Sequence, residues 1–156
     1  MSEPVGFFIT WTTYGTWLPG DRRGWVASDE PGVRAADAAR EDAARRRMSA
    51  RPVVLDSRQR RVVETTIRRH CEMRSWELHA VNVRTNHVHL VLSADAMPET
   101  VMGQLKAWCA RRLNEAQASD GSVTRKTHWW TEHGSTQWIN DQDGLHNAIE
   151  YVLEGQ

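Results

Sequence analysis

Apolar and polar positions alternate along this chain in stretches short enough to count. Val5 to Trp11 is β-branched and aromatic, which predicts a strand. Gly15, Pro19 and Gly20 then punctuate Thr12 to Asp21 and predict a loop, continued by Arg22 to Val26. Ala35 to Met48 is rich in alanine and arginine. It has strong helix propensity but no large apolar stripe, so it predicts an exposed helix inside a long connection. Pro52 ends that helix, and Val53 to Leu55 make a short extended return. Asp56 or Ser57 suits an N-cap for a helix over Ser57 to Arg74. In that helix Val63, Ile67, His70 and Cys71 recur at helical spacing, so His70 reads as a core histidine. Arg58, Arg60, Arg61, Arg68 and Arg69 line the exposed side.

Trp76 to Val83 has period two, with Trp76, Leu78 and Ala80 initially on one side, and predicts a strand. Only Arg84 to Asn86 separates it from the next apolar run, so the two strands form an antiparallel hairpin. In the second strand Val88, Leu90 and Leu92 point one way, and His87 and His89 the other. Imidazoles two residues apart on a strand lie roughly 6–7 Å apart at Cβ and can turn their lone pairs on one cation. A histidine pair on a solvated face is the plainer reading. This pair opens an otherwise apolar strand behind a tight polar run, which favours a metal. His79 could sit near the same face.

Pro98 to Ala116 predicts a second long helix with Val101, Met102, Leu105, Trp108, Cys109 and Leu113 buried and Lys106, Arg111 and Arg112 outside. Ser119 to Ser122 reads as a turn. His128 to Thr131 and Gln137 to Ile139 are short strand candidates flanking a polar loop with His133 and Ser135. Asn140 or Asp141 caps a last helix over Asp141 to Glu154, whose stripe is Leu145, Ala148, Ile149, Val152 and Leu153. Tyr151 falls about 120° from the centre of that stripe, which keeps its hydroxyl out of the core. By spacing alone it is a tyrosine on the flank of an amphipathic helix.

Without the inserted helix and the terminal one, the order is βαββαβ. The expected fold is therefore α+β, a ferredoxin-like antiparallel sheet with both long helices on one face. Residues 1–156 form one domain with an inserted segment at about 22–55. Val88, Leu90 and Leu92 are needed against the helices, so His87 and His89 take the free face. A terminal helix crossing that face would carry Tyr151 towards them.

Composition narrows the partners. With 20 basic and 20 acidic residues the formal net charge is zero, so no global field attracts a polyanion, and any such site must be local. The loop after the first strand mixes hydroxyls, aromatics and arginines, which suits sugar–phosphate contacts and base stacking. Trp11, Thr13, Tyr14, Trp17, Arg22 and Arg23 are the candidates there, joined by Arg60, Arg61 and Lys106 elsewhere. An aromatic loop covering the sheet edge is an equal alternative. Arg45, Arg46 and Arg47 could touch phosphate, though such runs are more often solvated. Cys71 and Cys109 sit on apolar stripes and read as reduced core residues of a cytoplasmic protein. No basic leader precedes an apolar run, and none approaches the ~18 residues of a membrane span.

Three stretches together carry a family likeness: Asn86 to Leu92, Ile9 to Gly20, and Ala148 to Leu153. They resemble the single-tyrosine (HUH-type) transposases of the insertion-sequence-200 type, most closely their REP-associated relatives. The resemblance implies an endonuclease and strand transferase acting on single-stranded or hairpin DNA, as a monomer or homodimer. His87 and His89 would hold Mg²⁺ or Mn²⁺, and Tyr151 would attack the scissile phosphate to leave a 5′-phosphotyrosine. The family usually places Asn or Gln four residues after the tyrosine as third ligand. Here Gly155 occupies that position, so Gln156 is the first candidate and Glu154 the second. The competing expectations are a domesticated hairpin-binding protein without transposition activity, and a metal-dependent hydrolase using water.

Overall fold

The protein is described from a computed structural model, over residues 3–16, 18, 21–27, 30–48, 51–119 and 128–154. Its elements in chain order are β1 (Gly6–Thr12), β2 (Trp25–Ala27), β3 (Glu30–Arg34), α1 (Ala38–Arg46), α2 (Ser57–Arg74), β4 (Glu77–Val83), β5 (His87–Ser93), α3 (Pro98–Ser119), β6 (Ser135–Ile139) and α4 (Gln142–Glu154). Four strands form one antiparallel sheet in the order β4-β5-β1-β6. With β1, α2, β4, β5, α3 and β6 as the core, this is the expected ferredoxin-like βαββαβ arrangement.

Alternation along β1 and β5 divides the core in two. Phe7, Ile9 and Trp11 join Val88, Leu90 and Leu92 beneath α2 and α3, with Val63, Ile67, Leu105 and Leu113 from the helices. Phe8 and Val91 face the other way, with Ala80, Ile139 and the α4 residues Leu145, Ala148, Ile149 and Val152. The long helices thus share one face, and α4 lies across the other, against β4 and β5. His70 is buried as expected, its Nε2 2.8 Å from Gln104 Oε1 on α3. Cys71 and Cys109 are buried thiols. Burial pushes the Cys71 thiol up to about 11 and raises that of Cys109 further.

The ends of the helices follow from local chemistry. Asp56 caps α2 through Gln59 N, and the Gln59 side chain returns to the Asp56 amide, a complete capping box. Ser75 closes α2 in the left-handed region, at φ 60°. Asp141 Oδ1 accepts from Gly144 N at 2.6 Å and starts α4. The inserted α1 buries no residue, in line with its missing stripe.

Four expectations are corrected. Trp25 onward is not simply loop: β2 and β3 pair as a short antiparallel hairpin with a bulge at Val26/Ala27. Neither strand has enough period-two pattern to show in the sequence. The alternation expected along β4 breaks at a bulge between Leu78 and Ala80, so Trp76 and Val81 face the main core while Ala80 faces α4. His128 to Thr131 makes one isolated bridge, Thr13 to Trp130, rather than a strand. Helix α3 runs three residues past Ala116, to Ser119. Most of the turn expected at Ser119 to Ser122 lies outside the described residues.

Candidate metal and tyrosine site

Register sorts the residues of the α4 face into rows. Phe8 pairs with Val91 and Val91 with Ala80. Thr10 pairs with His89 and His89 with Asn82. Thr12 pairs with His87. Directly opposed residues share a face, so the face is apolar at one end and polar at the other. The apolar stripe of α4 covers the apolar rows, and its last turn stops over the row containing His89.

The ring centres of His87 and His89 are 5.0 Å apart, with planes at 83°. Tyr151 sits 5.8 Å from His89 and 5.8 Å from Phe8, ring to ring, within the same chain. Its side chain is 52 % exposed, as the helical spacing anticipated. His87 Nδ1 donates to Asn86 Oδ1 at 2.9 Å, which leaves Nε2 as the lone-pair nitrogen, the arrangement a metal ligand needs. Two imidazoles bound at ~2.1 Å, meeting one cation at between ~90° and ~109°, have ring centres ~4.6–5.3 Å apart. The observed spacing falls inside that range, so the ring separation suits one shared divalent ion. Glu154 does not complete the set: among the described residues no third His, Cys, Asp or Glu joins the pair. Gln156 lies outside the described residues.

The two histidines differ in environment. His87 is half-buried, whereas His89 is 3 % exposed beneath Phe8 and Tyr151. That burial comes from the terminal helix and not from the main core. His79, expected as a possible neighbour, is at the far end of the hairpin. Its Nε2 lies 2.8 Å from Ser93 Oγ, and Ser93 Oγ donates to Val5 O at 2.5 Å. The serine proton is committed to that carbonyl, so His79 donates to Ser93 and cannot serve it as a base.

Backbone hydrogen bonds tie four segments together at the polar end of the sheet. Thr13 N donates to Asn86 O, Tyr14 N to Trp129 O, Thr131 N to Thr12 O, Val53 N to Tyr14 O and Leu55 N to Thr85 O. Most of the candidate nucleic-acid contacts lie on this rim, with different fates. Trp11 is corrected: it shares the face of Ile9 and is 1 % exposed, so no base can stack on it. Thr13 is corrected too, being fully buried with its hydroxyl on Thr16 Oγ1 and Asn86 O. Tyr14 stacks on His128 at 5.0 Å, with planes at 21°. Trp17 lies outside the described residues. Arg22 and Arg61 are exposed, and Arg60 donates to Leu55 O at 2.8 Å. Lys106 is spent on architecture, its ammonium donating to Thr131 O (3.0 Å) and His133 O (2.8 Å). Desolvation lowers its pKa.

A cleft of about 400 Å³ opens beside this rim, lined by Thr16, Asp21, Arg22, Arg23, Arg45 and Asn86 among others. Arg23 grips both Asp21 oxygens, at 2.8 and 2.6 Å, and reaches Thr16 O at 2.6 Å. The Arg23 guanidinium holds the Asp21 carboxyl below its ordinary range. Gly15 lets the loop pass close to the insertion: its φ is +85°, and a Cβ there would meet Met48 Cε at 2.8 Å and Pro52 Cβ at 2.9 Å. The sequence reading missed Asn86 and Asn82 as site residues. For Asn86 the signal was its place directly before His87.

A family model described as "Transposase IS200 like" matches residues 46–153. The chain belongs to the IS200-like transposase family. It is a transposase-like DNA-binding protein, and the matched span includes the histidine strand and the tyrosine helix. Among solved structures it resembles a REP-associated tyrosine transposase bound to a REP hairpin, with a TM-score of 0.54 and 12 % identity over 97 % of this chain and 67 % of that one. At that identity the likeness is one of fold. A protein of Deinococcus radiodurans R1 described as a candidate transposase matches at a TM-score of 0.48 and 16 % identity, over 100 % of this chain and 93 % of that one. No curated protein matches the sequence. Among the described residues, no helix of this family member is long and apolar enough to cross a membrane.

Proposed function

We propose that this chain is a metal-dependent endonuclease and strand transferase for single-stranded DNA, acting through a 5′-phosphotyrosine at Tyr151. One observation carries the reading: a phenol, and two imidazoles able to share a cation, meet on one sheet face of a single chain. The assigned roles make His87 and His89 the holders of Mg²⁺ or Mn²⁺, with Gln156 as the candidate third ligand. Imidazole ligands make Mn²⁺ at least as good as Mg²⁺. The bound ion would polarise the scissile phosphate. Tyr151 Oη forms the bond to phosphorus as the P–O3′ bond breaks. The phenol proton leaves to solvent, which the exposed ring permits, and the departing 3′-oxygen takes a proton from solvent to become a free 3′-hydroxyl. A neutral phenol is a weak nucleophile, which is why it must stand beside an electrophilic centre. The structural relative's hairpin makes hairpin DNA the substrate to try first. Arg22, Arg60, Arg61 and the cleft are the proposed backbone contacts.

The test is incubation with a single-stranded DNA hairpin and Mn²⁺, followed by a denaturing gel. The expected result is a covalent protein–DNA adduct that is absent in Tyr151→Phe and in His87→Ala/His89→Ala, with hairpin binding retained by all. Cleavage that survives Tyr151→Phe would overturn the role of the tyrosine and point to water as nucleophile. A second reading, a hairpin-binding protein without turnover, is favoured by the burial of His89 beneath Tyr151 and Phe8. Tight hairpin binding with no adduct in the wild type would decide for it.

A further inference from the structure

Helix α4 meets the sheet through an apolar stripe, the ring contacts of Tyr151 with Phe8 and His89, and a side-chain hydrogen bond in its last described turn. The stripe packs Leu145, Ala148, Ile149 and Val152 on Phe8, Ala80, Val91 and Ile139. Apolar contact of this kind is not directional and tolerates sliding by an ångström or more. The hydrogen bond is directional: Asn82 Nδ2 donates to Val152 O at 2.9 Å. The Val152 carbonyl lies in the last described turn of α4. A side chain from β4 thus holds a backbone carbonyl in the last described turn of α4.

The position of Asn82 makes that hold consequential. Asn82 is the register partner of His89 on β5, so the two side chains stand next to each other on one face. The residue it holds, Val152, follows Tyr151. One strand pair therefore presents the imidazole from β5 and fixes, from β4, the turn that carries the phenol. The apolar row docks α4 without direction, so the Asn82 hydrogen bond adds a directional hold beside the ring contacts of Tyr151.

We infer that Asn82 is a positioning residue: its amide holds the last described turn of α4 and helps to set Tyr151 against His89. It is not a metal ligand in this role, and it touches no reacting atom. The inference deepens the strand-transferase reading and, where turnover is concerned, rests on it. Its geometric part stands separately, because the distance between two rings can be followed without any reaction.

The chain has two tyrosines, Tyr14 and Tyr151. Protein grown with 3-fluorotyrosine therefore gives two ¹⁹F resonances, assigned with Tyr14→Phe. Two variants remove the donor, Asn82→Leu with nearly the same shape and Asn82→Ala with a smaller one. In metal-free buffer the Tyr151 resonance is expected to move towards the free amino-acid position in both, as the ring leaves the fields of His89 and Phe8, while the Tyr14 resonance stays. With hairpin DNA and Mn²⁺, single-turnover adduct formation is expected to fall about tenfold at saturation, with hairpin Kd unchanged, since one hydrogen bond that acts on orientation is lost. A Tyr151 resonance that stays in place in Asn82→Leu overturns the inference, whatever the activity. A resonance that moves in a protein whose wild type forms no adduct upholds the positioning role and sinks the strand-transferase reading instead. Should Asn82→Ala unfold, Asn82→Leu decides alone.

Discussion

Val152 is the fully buried residue of α4, set among Ala80, Val91 and Ile139 and one position from Tyr151. Val152→Ala removes two methyl groups from that cluster. Their transfer contributes ~0.8 kcal/mol each, and the cavity they leave adds to it, so the cost is about 2 kcal/mol. The strained state is α4 docked on the sheet, because the main core beneath α2 and α3 does not include Val152. Undocking of α4 should therefore become about 30-fold easier, and global stability should fall by the same ~2 kcal/mol, because Val152 is buried only in the docked state. Native-state hydrogen exchange reads this residue by residue. Amides from Leu145 to Glu154 should exchange about 30-fold faster, and in the wild type they should already exchange faster than those of Val88 to Leu92 on β5, which open only with the main core. Adduct formation at Tyr151 should fall with the docked population. The reasoning fails if the α4 amides are as protected as those of β5 in the wild type, since the helix would then be inseparable from the core. It also fails if the α4 amides do not respond.

The remaining expectations concern the rim and the thiols. Asp21→Asn should cost about 1 kcal/mol at neutral pH, because half-exposed Arg23 loses a charge-assisted partner. The Asp21 carboxyl has a folded-state pKa below 3.8, so its contribution is complete above about pH 4 and disappears as pH falls through the lower folded value. Urea titrations of the two proteins should therefore differ at pH 7 and converge on strong acidification. Lys106→Met should destabilise the loop at Thr131 to His133 by about 1 kcal/mol, because two carbonyls lose their donor while the buried stem is kept. A denaturation midpoint equal to wild type would contradict this. Cys71, raised from 9.0 to about 11, should alkylate with iodoacetamide at pH 8 about a hundredfold more slowly than an ordinary thiol. Labelling at the ordinary rate would show that the thiol is not buried.

Periodicity carried the fold because burial is periodic. Val88, Leu90 and Leu92 had to share a face, and so did Val63, Ile67 and Cys71. A hairpin of three residues between two strands left one pairing. The exposed α1 and the helix stops were legible for the same local reasons, a missing apolar stripe and capping side chains. The rule also marked Trp11 as buried, since it lies two residues beyond Ile9. Reading it as a stacking surface set aromatic character above alternation, and the structure restores the order of the two. The bulge between Leu78 and Ala80 could not be seen, because one extra residue in a strand leaves no compositional trace.

What the chain determined alone was the identity and local spacing of the chemical groups: two imidazoles on one strand face, a phenol on the flank of an amphipathic helix, arginines after β1. Spacing along a strand or helix is set by backbone geometry, which is the same wherever the element sits. Tertiary structure decided which of these groups meet. It laid α4 over the apolar rows of the free face and set Tyr151 beside His89 in the same chain. It also carried His79 to the opposite end of the hairpin and drew Asn82 and Asn86 into the site. Those outcomes follow from strand register and from where an apolar stripe finds an apolar surface, interactions between residues about seventy apart in the chain that no local pattern encodes.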